Sequence, residues 1–294
     1  MVFHATENAV YTVNSSGPLK MIYSEWCAEN ENLIICMHGL TGNGQDFNAI
    51  ATKIAGDGYR VIAPDLPGRG RSGFADNPED YRYRQYLDDI GSLLAHLGVM
   101  EPRSIDWLGV SLGGLLGFRL AAQNASPIRR MVVNDIGPYV PEADLHFIKK
   151  VLAKDYTFES FDEFTKAIKA LREPSYGKLS DEQWRAMAQT ISRKLPDGRY
   201  TFAFDPAIRE MFDKEPIGEK PLWPCWDAMD QPTLVLRGET STIFPPEVAD
   251  EMKSRGPGDN MTLKIIKGCG HVPPLISNDQ INIVRNWLRK TPKT

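Results

Sequence analysis

The chain reads as an α/β protein, a doubly wound and mostly parallel sheet that carries one inserted run of helices. Three observations predict this. Short apolar runs alternate with amphipathic, helix-like stretches in both the first and the last part of the sequence. One of these runs passes through a glycine-flanked serine straight into a segment rich in helix formers. The alternation then stops from Pro141 to Met229, where the residues turn charged and helical in spacing. The expected division is a core of residues 1–138 and 230–294 with an insertion of residues 139–229.

Each element follows from local pattern. Residues 8–30 alternate apolar and polar around Ser15-Ser16-Gly17-Pro18, which predicts an antiparallel hairpin at a sheet edge. Leu33-Ile34-Ile35-Cys36-Met37 has no polar break, as expected of a strand covered on both faces. A helix is expected over 45–55, a strand over 59–63 ended by Pro64, and an amphipathic helix over 84–97 stopped by Gly98. Strand 104–108, the serine turn and strand 129–134 come next. Helices are expected in the insertion at 142–154, 159–172 and 180–194, with loops at 173–177 and 195–198. Strand 232–238, helix 246–254, strand 263–266 and helix 279–289 complete the sheet.

The totals narrow the function. The chain has 34 basic and 38 acidic side chains, a net charge of −4 that gives no reason to expect nucleic acid or an anionic membrane as partner. Its four cysteines are far apart and form no CxxC pair, which argues against a zinc site and a disulfide framework. The start shows no signal-peptide pattern, and no apolar segment approaches the ~20 residues that span a bilayer. A cytoplasmic protein acting on a small molecule is expected, with no metal or cofactor and with homo-oligomerisation left open.

Gly109-Val110-Ser111-Leu112-Gly113-Gly114 carries the chemistry. Between an apolar strand and a helix, the G-x-S-x-G pattern is a nucleophile elbow. The turn is so tight that the residues two before and two after the serine must lack bulk, and the helix that follows aims its N-terminus at developing charge. Gly68-Arg69-Gly70-Arg71-Ser72-Gly73 also matches a dinucleotide fingerprint, but Asn77-Pro78 follows where a helix would have to open, so it reads as a loop. A serine needs a base. Of the five histidines, His271 lies in the glycine-rich loop 267–271 after the last strand, on the sheet edge that holds the elbow. The backbone N–H groups of Leu112 and, from the His38-Gly39-Leu40 turn, of Leu40 are the expected oxyanion donors.

In this order, His38-Gly39, Pro64-Asp65-Leu66-Pro67-Gly68-Arg69-Gly70-Arg71-Ser72, the elbow and Gly270-His271 resemble the α/β-hydrolase superfamily over about residues 20–290. The resemblance implies the order nucleophile, acid, histidine, with the insertion as a cap and the site between cap and core. In most relatives the acid would stand where this chain has Thr242. Two carboxylates could replace it: Asp135, at the end of the strand after the elbow helix, and Glu239. Placement at Asp135 resembles E-2-(acetamidomethylene)succinate hydrolase and the cofactor-free dioxygenases, and Asp135 is the expected acid.

The sequence therefore predicts a cofactor-independent serine hydrolase of an ester, lactone, amide or C–C bond, working through an acyl-enzyme. Two alternatives share the fold: a His–Asp dyad chemistry like that of cofactor-free dioxygenases or hydroxynitrile lyases, and a non-catalytic ligand receptor. His38, Tyr139, Tyr176, Trp184 and Trp223 are candidate pocket residues, His38 being expected to serve its turn structurally as well. Arg172 and Arg209 are candidates for meeting a substrate carboxylate.

Overall fold

The computed structural model describes residues 3–214 and 220–291. The core begins with strands β1 (Thr6–Asn14), β2 (Gly17–Trp26) and β3 (Asn32–Met37), helix α1 (Asn48–Ala55), strand β4 (Tyr59–Pro64) and helix α2 (Tyr83–His96). Strand β5 (Ile105–Val110), helix α3 (Leu112–Ala121) and strand β6 (Ile128–Asn134) follow. Next come α4 (Glu142–Leu152), α5 (Phe161–Tyr176), α6 (Asp181–Ile191), the short strands β7 (Ser192–Lys194) and β8 (Tyr200–Phe202), α7 (Ile208–Lys214) and α8 (Trp223–Asp227). Strand β9 (Thr233–Gly238), helix α9 (Pro246–Lys253), strand β10 (Met261–Ile266) and helix α10 (Asn278–Lys290) return to the core.

Eight strands form one sheet in the order β1-β2-β4-β3-β5-β6-β9-β10. The β1–β2 hairpin joins β4 antiparallel, and every pairing from β4 to β10 is parallel. Strand β3 shows why its sequence has no polar break. Leu33, Ile35 and Met37 enter the apolar cluster on one face, while Ile34 and Cys36 enter the cluster on the other. Helices α2, α3, α8 and α9 contribute to the first cluster and α1 and α10 to the second. Burying each such aliphatic side chain contributes roughly 1.5–3 kcal/mol. Among the described residues no helix is long and apolar enough to cross a membrane.

The insertion between β6 and β9 has its own small core of Phe164, Ile168, Trp184, Ala188, Ile191 and Phe202. It is stitched to the sheet by backbone and side-chain bonds: Gly70 N–H to Ala203 C=O at 2.7 Å, Asp205 N–H to Gly68 C=O at 2.7 Å, and Asn43 Nδ2 to Thr190 C=O at 2.9 Å.

Two local expectations are corrected here. Helix α5 does not stop at 172 but runs through Pro174 to Tyr176. Its last turn is tied down by Gly177 N–H on Glu173 C=O and by the Tyr176 ring stacked on Trp184, contacts that override a proline's usual effect. Conversely, the helix expected over 180–194 ends at Ile191. Residues 192–202 form the β7–β8 hairpin, whose turn holds Pro196 and a positive-φ Gly198, with Phe202 packed into the insertion's core.

Candidate active site

Strand β5 runs directly into the turn at Ser111, which adopts φ 49° and ψ −113°, a conformation that L residues occupy only when neighbours enforce it. The enforcement is steric. A Cβ on Gly109 would lie 2.3 Å from the Gly113 carbonyl oxygen, and one on Gly113 would lie 2.1 Å from that of Met37. Gly39 approaches from β3, where an added Cβ would sit 3.5 Å from the Ser111 Cβ. The pattern's glycines thus permit three chain segments to meet around one hydroxyl.

Three side chains from distant segments line up there. His271 Nε2 lies 3.1 Å from Ser111 Oγ, and His271 Nδ1 lies 2.8 Å from Asp135 Oδ2. Asp135 is fully buried and sits at φ 57°, where aspartate is among the better tolerated residues. Its Oδ1 accepts the Gly238 N–H at 2.6 Å and its Oδ2 accepts the Ser241 hydroxyl at 2.7 Å. A carboxylate that accepts on both oxygens requires a donor from the ring, so Nδ1 carries the proton and Nε2 presents a lone pair to Ser111.

The position of Asp135 beside the ring has a topological explanation. Strands β6 and β9 are hydrogen-bonded neighbours, and Asp135 N–H bonds the Leu236 carbonyl at 2.8 Å. A carboxylate from the end of either strand therefore reaches the same point. Thr242 is exposed and donates to Asp144 at 2.6 Å. Glu239, the other candidate acid, is exposed and accepts the Gly268 N–H at 3.0 Å; it bonds no ring nitrogen.

Leu112 opens α3, so its N–H has no acceptor within the helix. The Leu40 N–H is aimed by its own peptide. Gly39 C=O accepts from His38 Nδ1 at 2.7 Å and from Gly42 N–H at 3.2 Å, and a trans peptide points the Leu40 N–H the opposite way. The buried Arg69 holds the next carbonyl, Leu40 C=O, through Nε at 3.0 Å.

His38 is wholly buried, and its Nε2 accepts the Leu66 N–H at 3.0 Å. It lies at the floor of the cavity as a brace for the Gly39 peptide. Burial, opposed by the bond to Gly39, pushes its pKa from 6.5 down to about 4. With the folded value below the unfolded one, the ring's contribution to stability is present above about pH 6.5 and is lost as the pH falls toward 4. The stability advantage of the natural protein over His38→Gln is expected to shrink by about 2 kcal/mol between pH 7 and pH 5. Urea denaturation at the two pH values measures it, and an advantage that does not change with pH would contradict this account.

Ser111 and His271 open onto a cavity of about 640 Å³ between the sheet edge and α4, α5 and α6, with Asp135 buried behind the histidine. Of the proposed aromatic wall, Tyr176 lines it. The others do not. Trp184 is buried behind Tyr176 in the insertion's core, Trp223 lies under the Arg255 guanidinium with ring centroid 4.3 Å away, and Tyr139 stands outside the walls, partly exposed. Arg172 lines the cavity, whereas Arg209 is on the surface, paired with Asp155 at 2.7 Å. Ser241, Gly238 and Asn134 are contributors that motif reading missed. Asn134 accepts the Ser111 N–H on its carbonyl at 3.1 Å, and its side chain donates to Pro273 C=O at 2.8 Å beside the histidine. No local pattern marks these residues, since each acts across neighbouring strands.

Fold and site together define a hydrolase built on a parallel sheet, with Ser111, His271 and Asp135 meeting at the strands' carboxyl ends. The chain belongs to the alpha/beta hydrolase family, whose sequence profile matches residues 32–276. It is 33% identical over 288 residues to a 3-hydroxybutyrate-oligomer hydrolase of Cupriavidus necator, covering 95% of this chain and 96% of that protein. It is 26% identical to a haloalkane dehalogenase of Mycolicibacterium paratuberculosis, covering 89% and 81%. Among solved structures, an alpha/beta hydrolase from Novosphingobium aromaticivorans superposes with a TM-score of 0.86 at 34% identity, covering 99% of this chain and 100% of that one.

Proposed function

We propose that the protein is a serine esterase that cleaves short hydroxyacid oligoesters through an acyl-enzyme. The observation that carries this reading is the continuous line from Asp135 Oδ2 through the imidazole to Ser111 Oγ, at 2.8 and 3.1 Å. Nε2 takes the hydroxyl proton as Ser111 attacks the ester carbonyl. The oxyanion is received by the Leu40 and Leu112 N–H groups, each such donor lowering the barrier by ~3 kcal/mol. The imidazolium, held by Asp135, then protonates the departing alcohol, and water repeats the sequence in reverse to release the acid. The insertion acts as a cap that keeps bulk water from the acyl-enzyme.

The oligoester class is supported by the oligomer hydrolase with which one third of positions are identical over nearly the whole chain. The contact between Ser111 and Nε2 favours this route over dyad chemistry, which needs no aligned hydroxyl. Rapid mixing with excess p-nitrophenyl butyrate is expected to release one equivalent of nitrophenolate per site before steady turnover, or the same stoichiometry of Ser111 is expected to be labelled by a fluorophosphonate. Turnover with neither a burst nor a labelled Ser111 would count against the acyl-enzyme.

A further inference from the structure

We infer that Arg172 is a specificity residue that receives a free carboxylate on the substrate, so that the enzyme selects acid-terminated esters over neutral ones. The inference deepens the esterase reading above and rests on it. Arg172 is the one lysine or arginine among the residues lining the cavity. Its Nη1 donates to the Tyr176 hydroxyl at 3.3 Å and touches Met187 Sδ at 3.7 Å, and its guanidinium lies 5.4 Å from the Tyr176 ring centroid. Tyr176 in turn stacks on Trp184, which ties the platform beneath the cation to the insertion's core.

Among the described residues no carboxylate lies within ion-pair distance of Arg172. That sets it apart from Arg71, Arg129, Arg130, Arg255 and Arg285, each of which is paired. Asp46 also lines the cavity and feels the guanidinium's charge, but its Oδ2 takes the Asn43 N–H at 3.2 Å. A guanidinium that spends one nitrogen on a neutral hydroxyl keeps a two-pronged edge for an incoming carboxylate.

Position supports the assignment. The Ser175 carbonyl, one helical turn along α5 from Arg172, accepts the Gly270 N–H at 2.7 Å, next to His271. One turn is ~5 Å, which sets the Arg172 backbone near the histidine loop rather than at a remote wall. Beside it, Leu171 and Phe147 line the same cavity yet remain 46% and 61% exposed, an apolar rim for the rest of an oligoester chain. A β-hydroxy acid ester carries a carboxylate only a few bonds from the scissile oxygen, so charge and ester enter the one cavity that Arg172, Ser111 and His271 all line.

The test compares the linear dimer of 3-hydroxybutyrate as free acid and as its terminal carboxamide, with p-nitrophenyl butyrate as a general ester. Natural protein is expected to favour the acid over the amide by ~10–100-fold in kcat/KM, mostly through KM, as for one charge-assisted pair. Arg172→Gln is expected to bring that ratio near one, and Arg172→Lys to keep part of it. A ratio near one in the natural protein, or a ratio untouched by Arg172→Gln, would overturn the inference while leaving the esterase reading intact. Hydrolysis of p-nitrophenyl butyrate with neither dimer cleaved would overturn the inference and the oligoester class together, leaving only the serine-esterase mechanism. Failure to hydrolyse any of the three would bring down the esterase reading, and this inference with it. Should Arg172→Gln not fold, the natural protein and Arg172→Lys decide the matter by the same ratio.

Discussion

Ser111→Ala is expected to lower kcat on an ester substrate by ~10⁵–10⁶ while leaving the folded protein as stable as before. The size of the loss follows from the proposed mechanism, in which without the hydroxyl there is no acyl-enzyme, and the histidine and carboxylate have nothing to activate. A residual acceleration of ~10³ over the solution reaction is expected to remain, because in that mechanism the Leu40 and Leu112 amides would still polarise a bound carbonyl. Stability is spared because the hydroxyl's one side-chain bond is to His271, and alanine occupies the same strained backbone site with a smaller side chain. Steady-state kinetics alongside a thermal melt measure both quantities. If alanine at 111 kept a tenth or more of the activity, the serine would be a bystander, and deprotonation of substrate by the His271–Asp135 pair would be the better mechanism.

The second large effect belongs to Asp135→Asn, expected to cost ~10⁴ in kcat. Its physical origin is the tautomer. The asparagine carbonyl can accept the Gly238 N–H that now bonds Oδ1 at 2.6 Å, which leaves an amide NH₂ where Oδ2 faced the ring. The ring then accepts on Nδ1 and carries its proton on Nε2, pointing a donor at Ser111 where a base is needed. Ser241 can turn its hydroxyl from donor to acceptor for the new NH₂ group, so the buried site stays satisfied and the fold is kept. Glu239→Gln is the control: that side chain is exposed and bonds Gly268, so turnover is expected to stay within about twofold of the natural protein's. The reverse pattern, with Asp135→Asn active and Glu239→Gln dead, would show that the carboxylate had been misassigned.

These expectations depend on different amounts of tertiary information. The elbow was legible because its requirements are local: glycines at 109 and 113 are demanded by close backbone approaches that any other residue would block. The histidine was legible because a loop after a parallel strand must emerge on the elbow's edge of the sheet. The acid was only half legible. Asp135 and Glu239 both end strands on that edge, and the choice turns on the registry between β6 and β9, which no single-strand pattern encodes.

The insertion is the least legible part of the sequence. Its helices are amphipathic, and amphipathicity says which face is covered without saying by what. Trp184 and Tyr176 were equal candidates as aromatic residues; packing put the first inside a small core and the second on the cavity wall. Arg172 and Arg209 were likewise equal until one was found on the wall and the other paired with Asp155.

What the amino-acid order determined by itself is the alternating core, the turn that presents Ser111 and the loop that offers His271, since each follows from steric and periodic rules acting over a few residues. What only the tertiary structure decided is which carboxylate holds the imidazole and which side chains of the insertion face the cavity. The first depends on contacts between segments more than a hundred residues apart and the second on packing within the insertion, and in both several partners fit the local pattern equally and packing selects one.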